Sequence, residues 1–232
     1  MTMGALNYSA RFSTRFLGHE KNPLVTIDNV LRAPDELIAL ACKANFDSPP
    51  GGYYPGINAP LPKDYASSLV KALRPLLAQN FGFPLDAPIQ LSGYLALATL
   101  NPSQLKPIQK IPHYDSTDPM QLAMVHYLCR GSQGGTGFYR HIDTGFETID
   151  PERSPVYLSS YHRALATYGD RLQRHVCAET PGYELIDKED ALLNRLIIYR
   201  SNCLHSGDLE NSNLSSDPRT GRLTANIFIK CL

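Results

Sequence analysis

The sequence predicts an α+β fold in one domain, with helices in the N-terminal third and strands in most of the remainder. Apolar residues before about residue 88 recur at helical spacing, whereas later apolar runs are short and separated by turn residues. The length of 232 residues suits a single domain with a sizeable core. We therefore expect a mostly helical part over residues 1–88 and a β-sandwich or barrel over residues 89–232.

Two helices are predicted in the N-terminal part. The first begins at Pro34, where a proline and two acidic residues in the first turn precede apolar residues at helical spacing. The second begins near Pro62 and continues the same periodicity. Pro75 lies inside this second pattern and lacks a main-chain donor, so a kink or a break is expected there.

Five apolar runs predict the strands of the β-rich part. They cover residues 90–100, 121–129, 137–139, 193–199 and 223–229. Residues 157–175 interrupt them with helical spacing, which predicts an inserted helix that is either a lid or a cover on the sheet. The loop over residues 48–56, rich in glycine and proline, carries Tyr53 and Tyr54 as either a pocket wall or surface anchors.

Composition argues against several classes of protein. The formal net charge is +0, which gives no indication of a nucleic-acid or membrane-surface partner. No apolar run is long enough to cross a bilayer, and residues 1–18 lack the apolar stretch of a secretory signal. The 5 cysteines are odd in number and contain no C-x-x-C pair, which favours reduced thiols and a cytoplasmic location.

A His-x-Asp pair is the first feature that indicates chemistry. In an extended segment, residues two apart point to the same side, so His113 and Asp115 can present their ligand atoms to one point. His205, expected in a loop before Ser-Gly, would complete a two-histidine, one-carboxylate set that leaves positions on Fe(II) open. With 7 histidines and 22 acidic residues, roughly one His-x-acid pair is expected by chance, so the pair alone is weak evidence for a metal site. A second pair exists at His141 and Asp143.

Arg222 and Thr224 stand two residues apart at the start of the last apolar run, so they share a face. A guanidinium can bind a carboxylate through two hydrogen bonds, and a threonine hydroxyl can add a third. A 2-oxo acid that chelates the iron at one end and places its other carboxylate here would explain both features.

Five motifs follow one another along the β-rich part. They are His113-x-Asp115, Val125-His-Tyr-Leu128, Gly134-Gly-Thr-Gly-Phe138, His205-Ser-Gly207 and Arg222-x-Thr224. This order resembles the prolyl-4-hydroxylase-like branch of the Fe(II)/2-oxoglutarate-dependent oxygenases, and the N-terminal part looks like a bacterial subgroup of them. The resemblance covers about residues 89–232. It implies a double-stranded β-helix (jelly-roll) core with the N-terminal helices packed on it.

The resemblance also implies the iron ligands. They are His113, Asp115 and His205. The glycine pair that begins at Gly134 follows His113 but precedes His141, so the resemblance favours the first His-x-Asp pair. The chain would then be a dioxygenase that uses O2 and 2-oxoglutarate to hydroxylate a C–H bond.

For 2-oxoglutarate, the resemblance implies Arg222 and Thr224 at the distal carboxylate and Tyr127 as a further contact. Two segments depart from the common pattern: residues 208–219 form an extra loop, and residues 141–192 are long. Both would reshape the substrate entrance, so the substrate is not inherited from the family.

Several alternatives remain open. Desaturation or halogenation could occur at the same centre, although halogenating sites replace the carboxylate that Asp115 provides. A jelly-roll binding module, or a cupin-like metal protein without 2-oxoglutarate, would not need Arg222. The substrate is either a small molecule or a protein side chain, and the oligomeric state, with a homodimer among the options, is not determined by the sequence.

Overall fold

The fold contains two antiparallel β-sheets and three α-helices within the described part of the chain. The computed structural model describes residues 5–49, 51, 54–169, 172–210 and 212–232. The strands are β1 (Arg11–Leu17), β2 (Asn22–Asp28), β3 (Gly56–Pro60), β4 (Ile89–Ala98), β5 (Leu122–Tyr127), β6 (Gly135–His141), β7 (Tyr183–Asp190), β8 (Arg195–Arg200), β9 (His205–Asp208) and β10 (Leu223–Cys231). The helices are α1 (Pro34–Ala41), α2 (Lys63–Phe81) and α3 (Ser154–Tyr168).

The two sheets differ in size and pack on one another. The large sheet has the strand order β1-β2-β8-β5-β10-β4-β3, and the small sheet has the order β7-β6-β9. Phe138 of β6 meets Tyr199 of β8 with ring centroids 5.1 Å apart, and both belong to one buried apolar cluster. The space between the sheets is therefore an interior, and it holds the candidate site.

Strand β10 shows how the large sheet separates two environments. Ala225, Ile227 and Ile229 belong to the fully buried core formed with the helices, whereas Phe228 packs on the cluster between the sheets. Successive side chains of a strand point to opposite faces, so Thr224 lies on the same face as Phe228. Helices α1 and α2 cover the face of β10 that carries Ala225, Ile227 and Ile229. The opposite face, with Thr224 and Phe228, is directed at the candidate site.

Helix α1 begins at Pro34, as predicted. Helix α2 runs without a break through Pro75, where a kink or a break was expected. Its residues Leu69, Leu73 and Leu77 are at most 1% exposed, and burying each leucine contributes about 1.5–3 kcal/mol. This packing outweighs the cost of an internal proline, which is about 3 kcal/mol.

The expectation of a mostly helical N-terminal part is wrong, because β1, β2 and β3 also lie there. Strand β1 is an edge strand with both faces largely exposed, so it has no apolar alternation to reveal it. Strand β7 lies in the segment expected to be an insertion, and β9 begins at His205, where a loop was expected. No helix among the described residues is both long and apolar enough to cross a membrane.

Helix α3 is the predicted inserted helix, but it covers Ser154–Tyr168 instead of residues 157–175. Tyr157 is 2% exposed, and its hydroxyl lies 2.8 Å from that of Tyr183. The ring of Tyr157 also contacts Tyr114 edge-on, with centroids 5.9 Å apart. Helix α3 is thus packed on the chain segment that carries the first His-x-Asp pair.

Candidate metal centre

His113, Asp115 and His205, which we call the ligand trio, come together beside the small sheet. His113 and His205 exchange two backbone hydrogen bonds, with N–O distances of 2.9 Å and 2.8 Å. The Asp115 amide donates to the Ser201 carbonyl at 2.8 Å. One ligand atom from each of the three side chains lies within 4.8 Å of the other two.

The imidazole of His205 has a defined protonation state. Its Nδ1 donates to the Cys203 carbonyl at 2.9 Å, and the side chain is only 6% exposed. Burial lowers the pKa of His205 to about 4, so the ring is neutral at physiological pH. Because Nδ1 carries the proton, Nε2 has a free lone pair, which is the arrangement found in metal-bound histidines. The Tyr199 ring packs on this imidazole at 4.8 Å and fixes its orientation.

The donor atoms of the ligand trio fit a divalent cation. Nε2 of His205 lies 3.5 Å from Oδ2 of Asp115, and Nε2 of His113 lies 3.7 Å from Oδ1. The lone pair of His205 and the carboxylate of Asp115 are both acceptors, so a cation between them would remove their repulsion. Burial raises the pKa of Asp115 to about 6, which is expected for a carboxyl group without a strong cationic partner. Two imidazoles and one carboxylate are the set that binds non-haem Fe(II).

The ligand trio is open on one side. The side chain of His113 is 51% exposed, whereas those of Asp115 and His205 are 20% and 6% exposed. Two surface cavities of about 570 and 320 Å³ lie elsewhere, beside α1 and around Cys42, and no trio residue lines them. The exposed edge of His113 is therefore the side of the ligand trio that faces solvent.

Among the residues that the structure describes, the second His-x-Asp pair does not converge on a third metal-binding residue. Nδ1 of His141 lies 2.9 Å from the Thr144 hydroxyl. Asp143 accepts a hydrogen bond from Ser160 at 2.9 Å and lies 3.6 Å from Arg163. The two His-x-Asp pairs therefore differ in their contacts, and metal binding by the first pair stays a prediction.

One further group of possible metal ligands occurs in the described residues, and no sequence motif indicates it. Cys177, Glu179 and Glu210 have ligand atoms within 4.8 Å of one another. Arg174 lies 3.2 Å from Glu179 and 3.7 Å from Glu210, so a cation of the protein already balances this exposed acidic pair.

Arg222 is a buried cation between the two sheets. It is 4% exposed, and it donates from Nε to the Gln133 carbonyl at 3.1 Å and from Nη2 to the Gly135 carbonyl at 2.6 Å. In the described part of the chain, the partners of its charge are these two carbonyl oxygens and the Tyr127 ring, not a carboxylate. A guanidinium has five donors, so Nη1 and one Nη2 hydrogen remain available. A buried charge without a counter-ion is costly, which favours an anionic ligand at this position.

Thr224 and Tyr127 lie next to Arg222. They are cross-strand partners in β10 and β5, so their side chains share the face between the sheets. The Tyr127 hydroxyl lies 2.6 Å from the Thr136 hydroxyl, and the Arg222 Cζ atom lies 5.6 Å from the centre of the Tyr127 ring. The described contacts of Tyr127 therefore support the guanidinium, and its contact with 2-oxoglutarate stays a prediction.

Tyrosines line the interior between Asp115 and Arg222. Tyr94 packs against Tyr54 with ring centroids 6.2 Å apart. Burial raises the pKa of Tyr94, and the nearby Asp115 and Tyr54 raise it further. For Tyr54 the sequence left two positions open, a pocket wall or a surface anchor. Tyr53, for which the same alternatives were open, lies outside the described residues. The sequence singled out Tyr199 only as part of an apolar run.

With this geometry established, comparison with known proteins gives a family. The model of DUF6445, a family of unknown function, matches residues 8–229. The chain belongs to this family. No curated protein matches the DUF6445 chain at a significant level.

Two solved structures resemble this DUF6445 member at low sequence identity. HygX from Streptomyces hygroscopicus, solved with nickel and 2-oxoglutarate bound, is 11% identical with a TM-score of 0.50, over 91% of this chain and 84% of that one. An N-substituted L-amino acid dioxygenase from Burkholderia ambifaria AMMD in complex with alpha-KG is 9% identical with a TM-score of 0.42, over 98% of this chain and 96% of that one. The likeness to HygX shows a shared overall fold.

Proposed function

We propose that this chain is an Fe(II)- and 2-oxoglutarate-dependent dioxygenase that hydroxylates a C–H bond. The observation that carries the proposal is a buried Arg222 without a described carboxylate partner, in the same interior that is bounded by the ligand trio. A metal centre alone would not require this guanidinium. A dicarboxylate that chelates the metal at one end and binds Arg222 at the other would account for both the ligand trio and the guanidinium.

The order of the strands supports a double-stranded β-helix as the core. From β4 onward the chain crosses repeatedly between the sheets: β4, β5, β8 and β10 lie in the large sheet, and β6, β7 and β9 lie in the small one. The isolated bridge between His113 and His205 adds a fourth segment to the small sheet, next to β9. Four core segments in each sheet, linked in this way, are what a jelly roll requires, which supports the proposed core. The shared fold with HygX is consistent with this core.

In the proposed reaction, each residue of the site has a separate role. Iron bound with 2-oxoglutarate and O2 supplies the chemistry, in which succinate and CO2 form and a substrate C–H becomes C–OH. Asp115 and the imidazoles of His113 and His205 would hold the metal, and this set of three ligands would leave coordination positions for other ligands. The Cys203 carbonyl holds the proton on Nδ1 of His205, which keeps Nε2 available as a ligand.

The interior residues would bind and orient the co-substrate. Arg222 and Thr224 provide donors for the distal carboxylate. The face of the Tyr127 ring packs against the guanidinium and holds it in place. The aromatic rings of Tyr199 and Phe138 exclude water from the inner side of His205. The substrate, a small molecule or a protein side chain, would approach the exposed edge of His113.

A second candidate function is a cupin-like metal protein that does not use 2-oxoglutarate. The hydrogen bonds of Arg222 to the Gln133 and Gly135 carbonyls favour it, because they give the guanidinium a structural role between β10 and β6. This alternative keeps the ligand trio and removes the need for a dicarboxylate.

The two candidates differ in a simple spectroscopic experiment. Metal-free protein is loaded with Fe(II) under anaerobic conditions and titrated with 2-oxoglutarate while the visible spectrum is recorded. The dioxygenase predicts a weak charge-transfer band that saturates with 2-oxoglutarate, disappears in His205→Ala and requires much more ligand in Arg222→Ala. Fe(II) binding without this band would favour the cupin-like protein, and failure of Fe(II) to bind would exclude both.

A further inference from the structure

Tyr54 lies just before β3, outside the proposed jelly-roll core, and its hydroxyl is buried. This oxygen has no hydrogen-bond partner among the residues that the structure describes. The ring is held edge-on against Tyr94, which faces the interior. Buried hydroxyl groups nearly always have a partner, so the position of Tyr54 requires an explanation.

The surroundings of the hydroxyl indicate which ligand would satisfy it. Burial raises the pKa of Tyr54, while Arg222 and Thr224, which lie close to the hydroxyl, oppose this effect. Both side chains are near enough to the hydroxyl to favour its ionised form by hydrogen bonding, but neither contact has the geometry of a well-formed hydrogen bond. A phenol, a hydroxyl and a guanidinium that converge in this way form a set of donors suited to a carboxylate.

A second unpartnered polar atom lies in the same row of the sheet. Asn58 of β3 is paired with Ala96 of β4, and Ala96 is paired with Thr224 of β10, so the three side chains share a face. Oδ1 of Asn58 is buried and has no hydrogen-bond partner within the described ranges. The methyl side chain of Ala96, which lies between them, has no polar atom that could bond to either residue. This row is therefore better explained as the wall of a polar pocket than as packed core.

On the basis of the proposed function, we infer that Tyr54 donates a hydrogen bond to the distal carboxylate of 2-oxoglutarate, together with Arg222 and Thr224. The N-terminal segment then completes the co-substrate pocket from outside the jelly-roll core. Tyr54 is a binding and positioning residue, because it contacts the end of 2-oxoglutarate that does not react.

The test compares two ligands that chelate a metal in the same way. Protein loaded with Ni(II), which does not support turnover, is titrated in a calorimeter with 2-oxoglutarate and with 2-oxobutyrate, which lacks the distal carboxylate. In Tyr54→Phe, the Kd for 2-oxoglutarate should rise about tenfold, because one hydrogen bond to a charged group is lost. The Kd for 2-oxobutyrate should stay unchanged.

Two controls separate binding from folding. Tyr8 is 93% exposed, so Tyr8→Phe makes the same chemical change without affecting either ligand. Removing an unsatisfied buried hydroxyl costs no stability, so the metal-free Tyr54→Phe protein should unfold at the same temperature as the wild type or higher. A lower unfolding temperature would indicate a structural role for Tyr54 and overturn the inference.

The outcomes also separate this inference from the proposed function. If the wild type prefers 2-oxoglutarate to 2-oxobutyrate and Tyr54→Phe keeps the full preference, only the inference on Tyr54 is wrong. An equal loss for both ligands would also overturn it, since the distal carboxylate would not be involved. A wild type that binds both ligands equally would overturn the proposed co-substrate and, with it, the role of Tyr54.

Discussion

The hydroxyl of Tyr65 on α2 lies 2.8 Å from Nδ1 of His126 on β5, and both residues are 0% exposed. Nε2 of His126 lies 3.1 Å from Oδ1 of Asn194, an oxygen that also accepts from the Leu31 amide. Because Asn194 provides an acceptor, Nε2 of His126 carries the proton and Nδ1 accepts from Tyr65. One neutral tautomer of His126 therefore joins the N-terminal helix to the centre of the large sheet.

This contact predicts a dependence of stability on pH. Burial lowers the pKa of His126 from 6.5 to about 4, so between these values the unfolded chain binds more protons than the folded one. Through His126, the free energy of unfolding should fall by up to about 3 kcal/mol as pH decreases from about 6.5 to about 4, and this contribution should not change below that range. Urea unfolding of wild type and His126→Gln at several pH values measures the difference. A constant difference across this range would show that His126 does not titrate in this way.

The ligand trio predicts stabilisation by metal. A divalent cation that binds only the folded state at 100 times its Kd adds about 2.7 kcal/mol to the free energy of unfolding. We expect Ni(II) to raise the unfolding temperature of the wild type and EDTA to reverse the effect. Asp115→Asn should reduce this response strongly, because it removes the only acidic ligand of the trio. His141→Ala, which removes the histidine of the other His-x-Asp pair, is the matched control and should respond like the wild type.

Arg222 predicts a loss that is specific to the co-substrate. Lysine keeps the positive charge but not the planar fork, so Arg222→Lys should weaken binding of 2-oxoglutarate at least about tenfold. Ni(II) binding should be unchanged, because Arg222 is not part of the ligand trio. Calorimetric titration with Ni(II), and then with 2-oxoglutarate, measures the two affinities separately. Equal weakening of metal and 2-oxoglutarate binding would indicate that the substitution has disturbed the whole site.

The carboxylate of Glu147 is expected to stabilise the turn after β1 through its hydrogen bonds. It is 3% exposed, accepts from the amides of His19 and Glu20 at 2.9 Å and 3.0 Å, and accepts from Arg140 Nε at 2.8 Å. Glu147→Ala leaves these donors unsatisfied and should lower the free energy of unfolding by about 2–4 kcal/mol. The other partner of Arg140, Glu184, is exposed, so Glu184→Ala should cost less than about 1 kcal/mol. Chemical denaturation of both variants tests the comparison, and equal effects would contradict it.

The fold could be predicted where burial imposes a pattern on the sequence. Strands β4, β5, β8 and β10 and helices α1 and α2 all have a buried face, and their apolar spacing revealed them. Strands β1 and β7 are polar on most positions, because β1 is an edge of the large sheet and β7 an edge of the small one. Their existence depends on pairing with β2 and β6, which short-range sequence patterns do not encode.

The candidate site also contains residues that the sequence predicts and residues that it does not. The spacing of His113 and Asp115 and the later His205 predicted residues that do lie together, and their metal binding stays a prediction. The backbone carbonyls that hold Arg222 come from Gln133 and Gly135, and nothing in their side chains signals this role. Tyr54 reaches the interior only because β3 pairs with β4, a contact between segments distant in sequence.

The two backbone hydrogen bonds between His113 and His205 have a consequence for how this site can vary. The histidines are held by the main chain, so their relative position does not depend on the side chains of the surrounding loops. Substitutions at exposed positions of α3, which packs on the segment that carries His113, can alter what enters the site while the spacing of the two imidazoles stays constant. New substrate preferences could therefore evolve, or be engineered, by changing these side chains alone.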